Sequence, residues 1–183
     1  MNTRFTGFFS IILLGLSACS DMPSKPIHVV DKVDIQRFMG DWYVIANIPT
    51  FIETSAHNAV ESYKLNADGT IATTFTFHDD GFDGELKSYH PTGYIQDKNS
   101  NAIWGMQFIW PIKADYRIVY LDEEYRVTII GRQKRDYVWI MARTPQIPEA
   151  EYQQLLDYLT EQGYDASKIR KVPQNWNQDN TQG

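Results

Sequence analysis

The chain has 183 residues, which is enough for one compact domain with a sizeable core. Its composition, 43% hydrophobic and 22% charged with 9 Phe, 5 Trp and 11 Tyr, is too aromatic for a disordered chain and too polar for a bundle of membrane helices. Acidic residues outnumber basic ones by 23 to 17, so the formal charge of −6 argues against a nucleic-acid partner. The single cysteine, Cys19, excludes an internal disulfide and a multi-thiolate metal site.

The first twenty residues have the pattern of a secretory signal. One positive charge, Arg4, precedes an apolar run over residues 5–16 that is too short to cross a bilayer as a helix. The next four residues, Leu16-Ser17-Ala18-Cys19, resemble the lipobox of bacterial lipoproteins, whose cysteine is acylated and becomes the new N-terminus. The resemblance implies a signal peptide over residues 1–18 and a lipid anchor on Cys19. The alternative is an ordinary signal peptide with an incidental cysteine.

The residues after the cysteine are expected to link the lipid to the domain. Ser20 resembles the residue found at this position in outer-membrane lipoproteins, which implies anchorage in the outer membrane with the protein facing the periplasm. Residues 19–31 contain Pro23 and Pro26 and no apolar period, so we predict an extended tether with a reach of roughly 30 Å.

From residue 33 to residue 145 the hydrophobic pattern has a period of two, which is typical of β-strands. Runs rich in Val, Ile, Thr, Tyr, Phe and Trp alternate with turn clusters such as Asn66-Ala67-Asp68-Gly69 and Asp79-Asp80-Gly81. We predict eight consecutive antiparallel strands, over residues 41–48, 58–66, 70–78, 84–96, 101–110, 115–122, 125–132 and 136–144. The expected fold is all-β, an eight-stranded up-and-down barrel whose interior can hold one small ligand, and an open sandwich is the alternative.

One amphipathic helix is predicted after the last strand. Pro148 suits its first turn, four apolar residues recur at helical spacing, and Gly163 suits its end; the four are Tyr152, Leu155, Leu156 and Leu159. We expect this helix to pack outside the barrel, because the Glu and Gln of its polar face argue against the alternative, a helix lying on a membrane. A short strand from about Ile169 and a polar tail over residues 173–183 are expected to follow.

Three motifs carry a resemblance to the lipocalin family. Gly40-Asp41-Trp42 resembles the Gly-x-Trp motif that opens the first strand, Asp122-Glu123-Glu124-Tyr125 resembles the Asp-x-x-Tyr turn before the seventh, and Arg143 ends the last. With the lipobox, they resemble the bacterial lipocalins, relatives of apolipoprotein D. The resemblance implies a lipocalin domain over residues 32–172 and a lipid-binding function without catalysis. The cysteines that tie the C-terminal segment of animal lipocalins to the barrel are absent from this sequence.

The same motif residues have a physical interpretation of their own. Gly40 permits a tight turn into the first strand, and Trp42 offers a large plug for one end of a barrel. Arg143 can lay its planar guanidinium over the indole while donating hydrogen bonds to backbone carbonyls. We therefore assign Gly40, Trp42, Asp122, Tyr125 and Arg143 a structural role and leave them out of the ligand contacts.

Alternation along each strand predicts which side chains face the barrel interior. The predicted inner residues are Val44, Ala46 and Ile48 on the first strand, Ile71, Thr73, Phe75 and Phe77 on the third, Met106 and Phe108 on the fifth, Tyr116, Ile118 and Tyr120 on the sixth, Tyr125, Val127 and Ile129 on the seventh, and Tyr137, Trp139 and Met141 on the last. The second strand is ambiguous, and only the family resemblance favours Tyr63 and Glu61.

These inner residues predict a cavity lined by large rings and one flexible thioether, with a fully packed core as the alternative. The candidate ligand contacts are Glu61, Tyr63, Phe75, Phe77, Met106, Phe108, Tyr116, Tyr137 and Trp139. Such a cavity suits fatty acids or lysophospholipids, which the resemblance also implies; haem, retinoid and sterol-like ligands stay open. The oligomeric state stays open too, a homodimer included.

Catalytic constellations are poorly supported. The sequence contains no Gly-x-Ser-x-Gly, no glycine-rich phosphate loop and no His-Glu-x-x-His, and its four histidines lack metal-ligand spacing, so no cofactor or metal is implied. We expect a protein that reversibly binds single-chain lipids and transports or sequesters them. The alternatives are a structural or interaction lipoprotein with a packed barrel and, with less support, a lipocalin-fold enzyme that uses Glu61 as a buried acid.

Overall fold

The structure, a computed structural model, describes residues 25–176. The predicted signal peptide over residues 1–18, the predicted lipidation site Cys19 and residues 177–183 lie outside this range. The described elements are α1 (Ile35–Phe38), β1 (Gly40–Ile48), β2 (Ala56–Leu65), β3 (Ile71–Asp79), β4 (Leu86–Tyr89), β5 (Thr92–Ile95), β6 (Ile103–Ile109), β7 (Ile112–Leu121), β8 (Val127–Gly131), β9 (Val138–Ala142), α2 (Glu149–Glu161), a 3₁₀ turn (Ala166–Lys168) and β10 (Arg170–Lys171).

The strands close into one antiparallel barrel. Neighbours follow the order β1-β2-β3-β5-β6-β7-β8-β9, β4 pairs with β3, and β9 pairs with β1. The predicted fourth strand is divided into β4 and β5 at His90-Pro91, because proline has no N–H to donate to a strand ladder. If β4 and β5 are counted as one interrupted strand, the barrel has eight strands. The predicted eight-stranded barrel is therefore confirmed, and the alternative of an open sandwich is wrong.

The two ends of the barrel are covered differently. At one end, called the closed end here, α1 contributes the fully buried Phe38. Asp34 begins this helix, since its carboxylate accepts hydrogen bonds from the backbone N–H groups of Gln36 and Arg37. At the other end, called the open end, the connections are residues 49–55, 80–85, 110–111 and 132–137.

Two β-bulges correct the predicted inner faces of β1 and β7. A bulge adds one residue to a strand, so the side chains beyond it point to the opposite face. The bulge between Val44 and Ala46 turns Ala46 and Ile48 outward, under α2, although both were predicted to face the interior. A second bulge after Ile118 turns Tyr120 outward, where its ring lies 5.5 Å from that of Tyr158 on α2.

The predicted inner face of β8 is wrong as well. Val127 and Ile129 pack outside the barrel, under α2, while Ile130 faces the interior. All five residues of β8 are buried, because α2 covers the outer face of this strand. Alternation of polar and apolar residues gives no signal in a strand whose two faces are both covered.

The helix after the last strand packs outside the barrel, as predicted. Tyr152, Leu155 and Leu159 of α2 are buried against the outer faces of β1, β7, β8 and β9. The helix ends at Glu161, and Gly163 takes a positive φ of 87°, a conformation that glycine adopts without steric cost. The molecule therefore has one apolar cluster inside the barrel and a second one between barrel and helix.

The N-terminal residues 25–31, predicted as part of an extended tether, lie along the barrel. Ile27 is buried beside α2, and the backbone N–H of Val30 donates to the carbonyl of Ile118 at 3.1 Å. The tether assignment is therefore corrected for residues 25–31. Residues 25–176 by themselves form a closed barrel with both of the described apolar clusters.

Hydrogen bonds hold the C-terminal segment against the barrel. The predicted short strand is β10, which pairs with β1. Beyond it, the Gln174 amide donates to the carbonyls of Val44 and Ala59, and Asn175 exchanges hydrogen bonds with Asn58. Residues 173–176, the first part of the predicted polar tail, thus lie against β1 and β2.

Candidate functional site

A cavity opens at the open end and extends into the barrel. Its enclosed part has a volume of about 100 Å³, and the space including the open mouth is about 600 Å³. Its walls are mostly apolar, with the polar groups concentrated on a few residues. The lining residues are Thr50, Ile52, Glu53, Glu61, Phe75, Met106, Phe108, Ala114, Asp115, Tyr116, Arg132, Tyr137 and Trp139.

Most of the predicted ligand contacts line this cavity, namely Glu61, Phe75, Met106, Phe108, Tyr116, Tyr137 and Trp139. The other two, Tyr63 and Phe77, belong to the interior cluster but do not reach the cavity. Tyr63 packs against Trp104, and Phe77 packs against Phe75 and Tyr89. Tyr63 and Phe77 are therefore not among the residues that line the cavity, and their contact with a ligand stays a prediction.

Aromatic rings form the floor of the cavity. Tyr116 stacks on Trp104 with ring centroids 5.3 Å apart, and its hydroxyl lies 2.5 Å from that of Tyr63. Beneath them, the ring of Phe38 lies 5.6 Å from those of Trp104 and Tyr63. These contacts fill the lower half of the barrel, so the cavity is confined to the upper half.

Trp42 and Arg143 seal the closed end. The guanidinium carbon of Arg143 lies 3.7 Å from the ring centroid of Trp42, and the indole N–H donates to the carbonyl of Phe38 at 2.9 Å. The Arg143 guanidinium donates to the backbone carbonyls of Arg37, Phe38, Met39, Asp41 and Tyr125. Gly40 has a positive φ of 93°, and a Cβ there would lie 3.4 Å from the guanidinium. This geometry fits the structural role expected for these three residues.

The turn between β7 and β8 fastens α1 to the barrel. The Asp122 carboxylate accepts hydrogen bonds from the backbone N–H groups of Arg126 and Val127 at 2.5 and 2.8 Å, which shapes the turn. The hydroxyl of Tyr125 accepts from the backbone N–H of Asp34, the residue that caps α1, at 2.8 Å. Asp122 and Tyr125 therefore act on the closed end, far from the cavity mouth.

Glu53 is a buried carboxylate beside the cavity mouth, on the connection between β1 and β2. The side chains of Asn47 and Thr50 and the Thr50 backbone donate to it at 2.9 to 3.2 Å, and the Trp139 indole N–H lies 3.1 and 3.2 Å from its two oxygens. Burial raises the pKa of Glu53, and these hydrogen bonds partly oppose the rise. Trp139 is therefore held by its ring nitrogen while its ring lines the cavity.

Glu61 is the second carboxylate of the cavity, on the inner face of β2. Burial raises its pKa to about 7, a hydrogen bond with the Tyr63 hydroxyl lowers it, and the charge of Glu53 raises it. Burial and the Glu61 charge also raise the pKa of both Tyr63 and Tyr116. Glu61, Tyr63 and Tyr116 therefore form one polar group at the base of an otherwise apolar cavity.

Arg132 and Asp115 bring opposite charges to the mouth. Arg132 pairs with Asp136 at 3.3 Å, and among the described residues its buried Nε has no hydrogen-bond partner. Asp115 pairs with Arg117 at 2.8 Å and accepts from the backbone N–H of Gln133 at 2.7 Å. Arg132 is thus the only basic residue among those that line the cavity.

Six lining residues were not predicted from the sequence: Thr50, Ile52, Glu53, Ala114, Asp115 and Arg132. Thr50, Ile52 and Glu53 belong to the β1–β2 connection. A connection has no hydrophobic period, so the sequence does not predict that it passes over the cavity mouth. Ala114 and Asp115 lie on β7 before its bulge, and Arg132 follows the last residue of β8. For Glu53, Asp115 and Arg132 the sequence did contain a signal, because each is a charged residue next to the apolar end of a strand.

Comparisons with known proteins agree with this architecture. Residues 33–174 match the family described as the lipocalin-like domain. The chain belongs to the lipocalin family. It is 35% identical to temperature-induced lipocalin-1 of Arabidopsis thaliana over 159 residues, 82% of this chain and 84% of that protein. It is 31% identical to the outer membrane lipoprotein Blc of Citrobacter freundii over 161 residues, 86% of this chain and 89% of that protein.

The fold is shared with more distant solved structures. Insecticyanin of the tobacco hornworm Manduca sexta superposes with a TM-score of 0.67 at 14% identity, over 84% of this chain and 87% of that chain. The resemblance to a bacterial lipocalin is thereby confirmed. Within residues 25–176 this lipocalin has no helix with the length and apolar character needed to cross a bilayer. The same range holds no group of three or more His, Cys, Asp or Glu suited to a metal ion.

Proposed function

We propose that this lipocalin reversibly binds single-chain lipids, fatty acids or lysophospholipids, in its barrel and transports or sequesters them at the outer membrane. The observation that carries the proposal is the cavity, which has apolar walls, a closed aromatic floor and one mouth. A site with one mouth admits a linear guest end first. It offers little room for the second acyl chain of a phospholipid.

The apolar walls supply the energy of binding. Burying an acyl chain of about fourteen methylenes at ~0.8 kcal/mol each contributes roughly 11 kcal/mol before the costs of association. Micromolar affinity corresponds to about 8 kcal/mol, so it requires the costs of association to stay below about 3 kcal/mol. Because a bilayer offers the chain a similar apolar environment, binding by this protein is reversible transfer and needs no covalent step. The proposal gives Glu61 no catalytic role.

The charges of the cavity favour one orientation of the lipid. Glu61 lies at the base of the cavity, so a carboxylate or phosphate inserted head first would meet a buried acidic group there. Arg132 lines the mouth and has a buried N–H to offer. We therefore propose that the methyl end of the chain lies on the aromatic floor and that the anionic head group lies near Arg132.

The proposed location rests on the N-terminal sequence. The motif Leu16-Ser17-Ala18-Cys19 supports acylation of Cys19, and the Citrobacter freundii relative is named an outer membrane lipoprotein. We propose the same anchor and membrane for this protein, with the barrel on the periplasmic side. Fractionation of cells that produce Cys19→Ala tests the anchor: loss of the protein from the membrane fraction is expected, and unchanged processing and membrane attachment would contradict it.

Binding is tested by titrating a fluorescent fatty acid into the chain that begins at Ser20. Ala114 lines the cavity, whereas Ala72 is an exposed residue of β3. Ala114→Phe should fill the cavity and weaken binding at least tenfold, a loss of about 1.4 kcal/mol. Ala72→Phe makes the same chemical change outside the barrel and should leave the affinity unchanged. Thermal melts of both variants show whether the fold is retained.

The outcomes separate the proposal from its alternatives. Equal affinity in wild type and Ala114→Phe would place the lipid elsewhere on the protein. Absence of binding for both fatty acid and lysophospholipid would favour the structural or interaction lipoprotein. Competition by unlabelled lysophospholipid, fatty acid and two-chain phospholipid identifies the head group and the number of chains that the cavity accepts.

A further inference from the structure

The exposed apolar side chains of this protein are concentrated at the open end. Among the described residues the strongly exposed large apolar side chains are Phe51, Leu86, Phe108, Ile109, Trp110, Ile112 and Trp176. All of them except Trp176 belong to the open-end connections or to the strand ends beside them. Such a clustered apolar surface usually marks an interaction site.

The β6–β7 hairpin is the most prominent part of this surface, and its exposed residues Ile109, Trp110 and Ile112 are called the hairpin tip below. Trp110 is 82% exposed, and Ile109 pairs with Ile112 across the turn. Phe51, on the β1–β2 connection at the same end, is 87% exposed. None of these four residues lines the cavity, so ligand binding inside the barrel does not account for their exposure.

The chain that leads to Cys19 starts from the same end. The carbonyl of Lys25 accepts hydrogen bonds from Arg135 and Gln133, both on the open-end connection between β8 and β9. From there the chain runs toward the closed end, where the backbone N–H of Val33 donates to Ser100 at 2.7 Å. Cys19 precedes Lys25 by six residues, which span at most about 22 Å. The open end is therefore the end that an acylated Cys19 holds near a bilayer.

Charge around the open end is uneven in a way that fits a lipid surface. Three exposed lysines lie at this end: Lys113 next to the hairpin tip, Lys134 on the β8–β9 connection, and Lys25, the first residue that the structure describes. The exposed acidic residues of this end are gathered mainly on the β3–β4 connection, residues 80–85. Lysines beside exposed Trp and Ile are the combination found where proteins meet anionic bilayers.

We propose that the open end docks on the membrane that carries the anchor, with the hairpin tip inserted among the lipid head groups. This rests on the proposed acylation of Cys19 and deepens the proposed function, because the cavity mouth then faces the bilayer. A single-chain lipid passes between bilayer and cavity without crossing water. In this proposal the bilayer covers the exposed apolar surface. The tests below distinguish it from a second copy of the chain bound to the same surface.

Tryptophan quenching tests the docking in the lipidated protein. The protein is reconstituted into vesicles of phosphatidylcholine and phosphatidylglycerol, with and without bromine on the acyl chains of the phosphatidylcholine. Bromine should quench the wild-type fluorescence. Trp110→Phe keeps the tip apolar but removes the reporter, so most of the quenching should disappear. Trp176→Phe removes the exposed tryptophan away from the open end, and the quenching should persist.

Each result decides for or against docking. No quenching in wild type, or equal quenching in Trp110→Phe and wild type, would overturn the proposal. Loss of quenching in Trp176→Phe would show that another face meets the bilayer. Flotation with the vesicles is measured first. Protein that does not float lacks the anchor, which contradicts the proposed function and not docking itself. The next experiment tests docking without the anchor.

Transfer kinetics test the same surface without the anchor. The chain beginning at Ser20 is mixed with vesicles that contain a fluorescent fatty acid. Transfer to wild type should speed up with vesicle concentration, as a collision mechanism requires. Trp110→Lys with Ile112→Lys should slow transfer about tenfold, since the apolar contact with the bilayer is lost. Trp176→Lys is the matched control and should transfer at the wild-type rate.

Equilibrium titration with the fatty acid in solution separates docking from binding. The Trp110→Lys, Ile112→Lys variant should keep the wild-type affinity, because neither residue lines the cavity. Normal affinity with an unchanged transfer rate would overturn docking alone, whereas no affinity in wild type would overturn the proposed function. Sedimentation velocity tests whether a second copy of the chain occupies the open end instead. If wild type is a dimer and the same variant is a monomer, the open end is a contact between copies, and membrane docking is overturned.

Discussion

The closed and open ends of the barrel contain similar residues, but one end is sealed and the other holds a cavity. At the closed end a tryptophan and an arginine stack, and the guanidinium donates to five backbone carbonyls. At the open end a tryptophan and an arginine line a cavity, and among the described residues the Nε of Arg132 and the Oδ1 of Asn47 are buried without a partner. Arg143 at the closed end therefore donates from all three of its guanidinium nitrogens, whereas the Nε of Arg132 at the cavity has no partner in the described part of the chain.

The difference also appears in the buried charges. Burial lowers the pKa of Arg143 at the closed end, but five carbonyl oxygens accept hydrogen bonds from its charged guanidinium. Glu53 and Glu61 at the open end are acids whose pKa values burial raises, so their charged forms are disfavoured. The buried charge of the closed end thus has acceptors on every nitrogen, whereas the open end places two buried acids beside a cavity.

Removing Arg143 should have the largest effect on stability. Arg143→Ala leaves the Trp42 face and five carbonyls without their partner, and we expect the free energy of unfolding to fall by about 3 kcal/mol. Arg143→Lys keeps the charge but cannot reproduce the planar fork, so it should recover only part of the loss. Urea denaturation measures both. Unchanged stability together with lost lipid affinity would make Arg143 a binding residue.

The open end should respond to pH through Glu61. Its pKa is about 7 in the folded protein, against 4.5 for an ordinary glutamate, so the folded state holds the proton more tightly. Protonation of Glu61 therefore stabilises the folded state fully below about pH 4.5, and this stabilisation is lost as the pH rises through 7. The loss reaches on the order of 2 to 3 kcal/mol. Glu53 and Tyr63 are the titratable groups that act on it.

Urea denaturation between pH 5 and pH 8 checks this expectation. Glu61→Gln should flatten the pH dependence, while the part that Glu53 contributes in the same direction remains. Glu85→Gln, at an exposed residue of the open end, is the matched control and should follow wild type. Identical pH profiles for wild type and Glu61→Gln would contradict the raised pKa.

The closed end was largely predictable from the sequence, and the open end was not. Gly40, Trp42 and Arg143 mark the closed end because each residue type is required there, by a positive φ, a large ring and a planar fork of donors. The strands and the outer helix follow from their periods. Pro91 was a readable signal for the break between β4 and β5, which the prediction overlooked.

The errors share a physical cause. A bulge such as the one before Ala46 adds a residue without changing composition, and it reverses every side chain that follows. In β8 both faces are covered, so apolar residues such as Ile129 occupy either side. Glu53 reaches the cavity from a connection whose path depends on barrel closure. Period alone cannot locate these features, because tertiary packing decides them.

A smaller effect should follow from separating Trp139 and Glu53. Trp139→Phe keeps a ring against the cavity but removes the donor that reaches both Glu53 oxygens, so we expect a destabilisation of about 1 to 2 kcal/mol. It should also remove most of the fluorescence change that a bound lipid causes. Glu53→Gln alone and the double variant complete a thermodynamic cycle. Additive effects of the two changes would show that this hydrogen bond contributes nothing.

The smallest predicted effect concerns the pair of hydroxyls beneath the cavity. Tyr63 bonds to both Glu61 and Tyr116, and its bond to Glu61 lowers the pKa of that carboxyl. Tyr63→Phe should therefore raise the pKa of Glu61 further, and Tyr116→Phe, which leaves that bond in place, should change it less. Carboxyl chemical shifts followed by NMR through neutral pH measure the difference directly. Because Tyr63 lies outside the cavity and Tyr116 lines it, lipid affinity should depend on Tyr116 more than on Tyr63. A larger pKa change in Tyr116→Phe would reverse this order and show that the cavity-facing hydroxyl controls the acid.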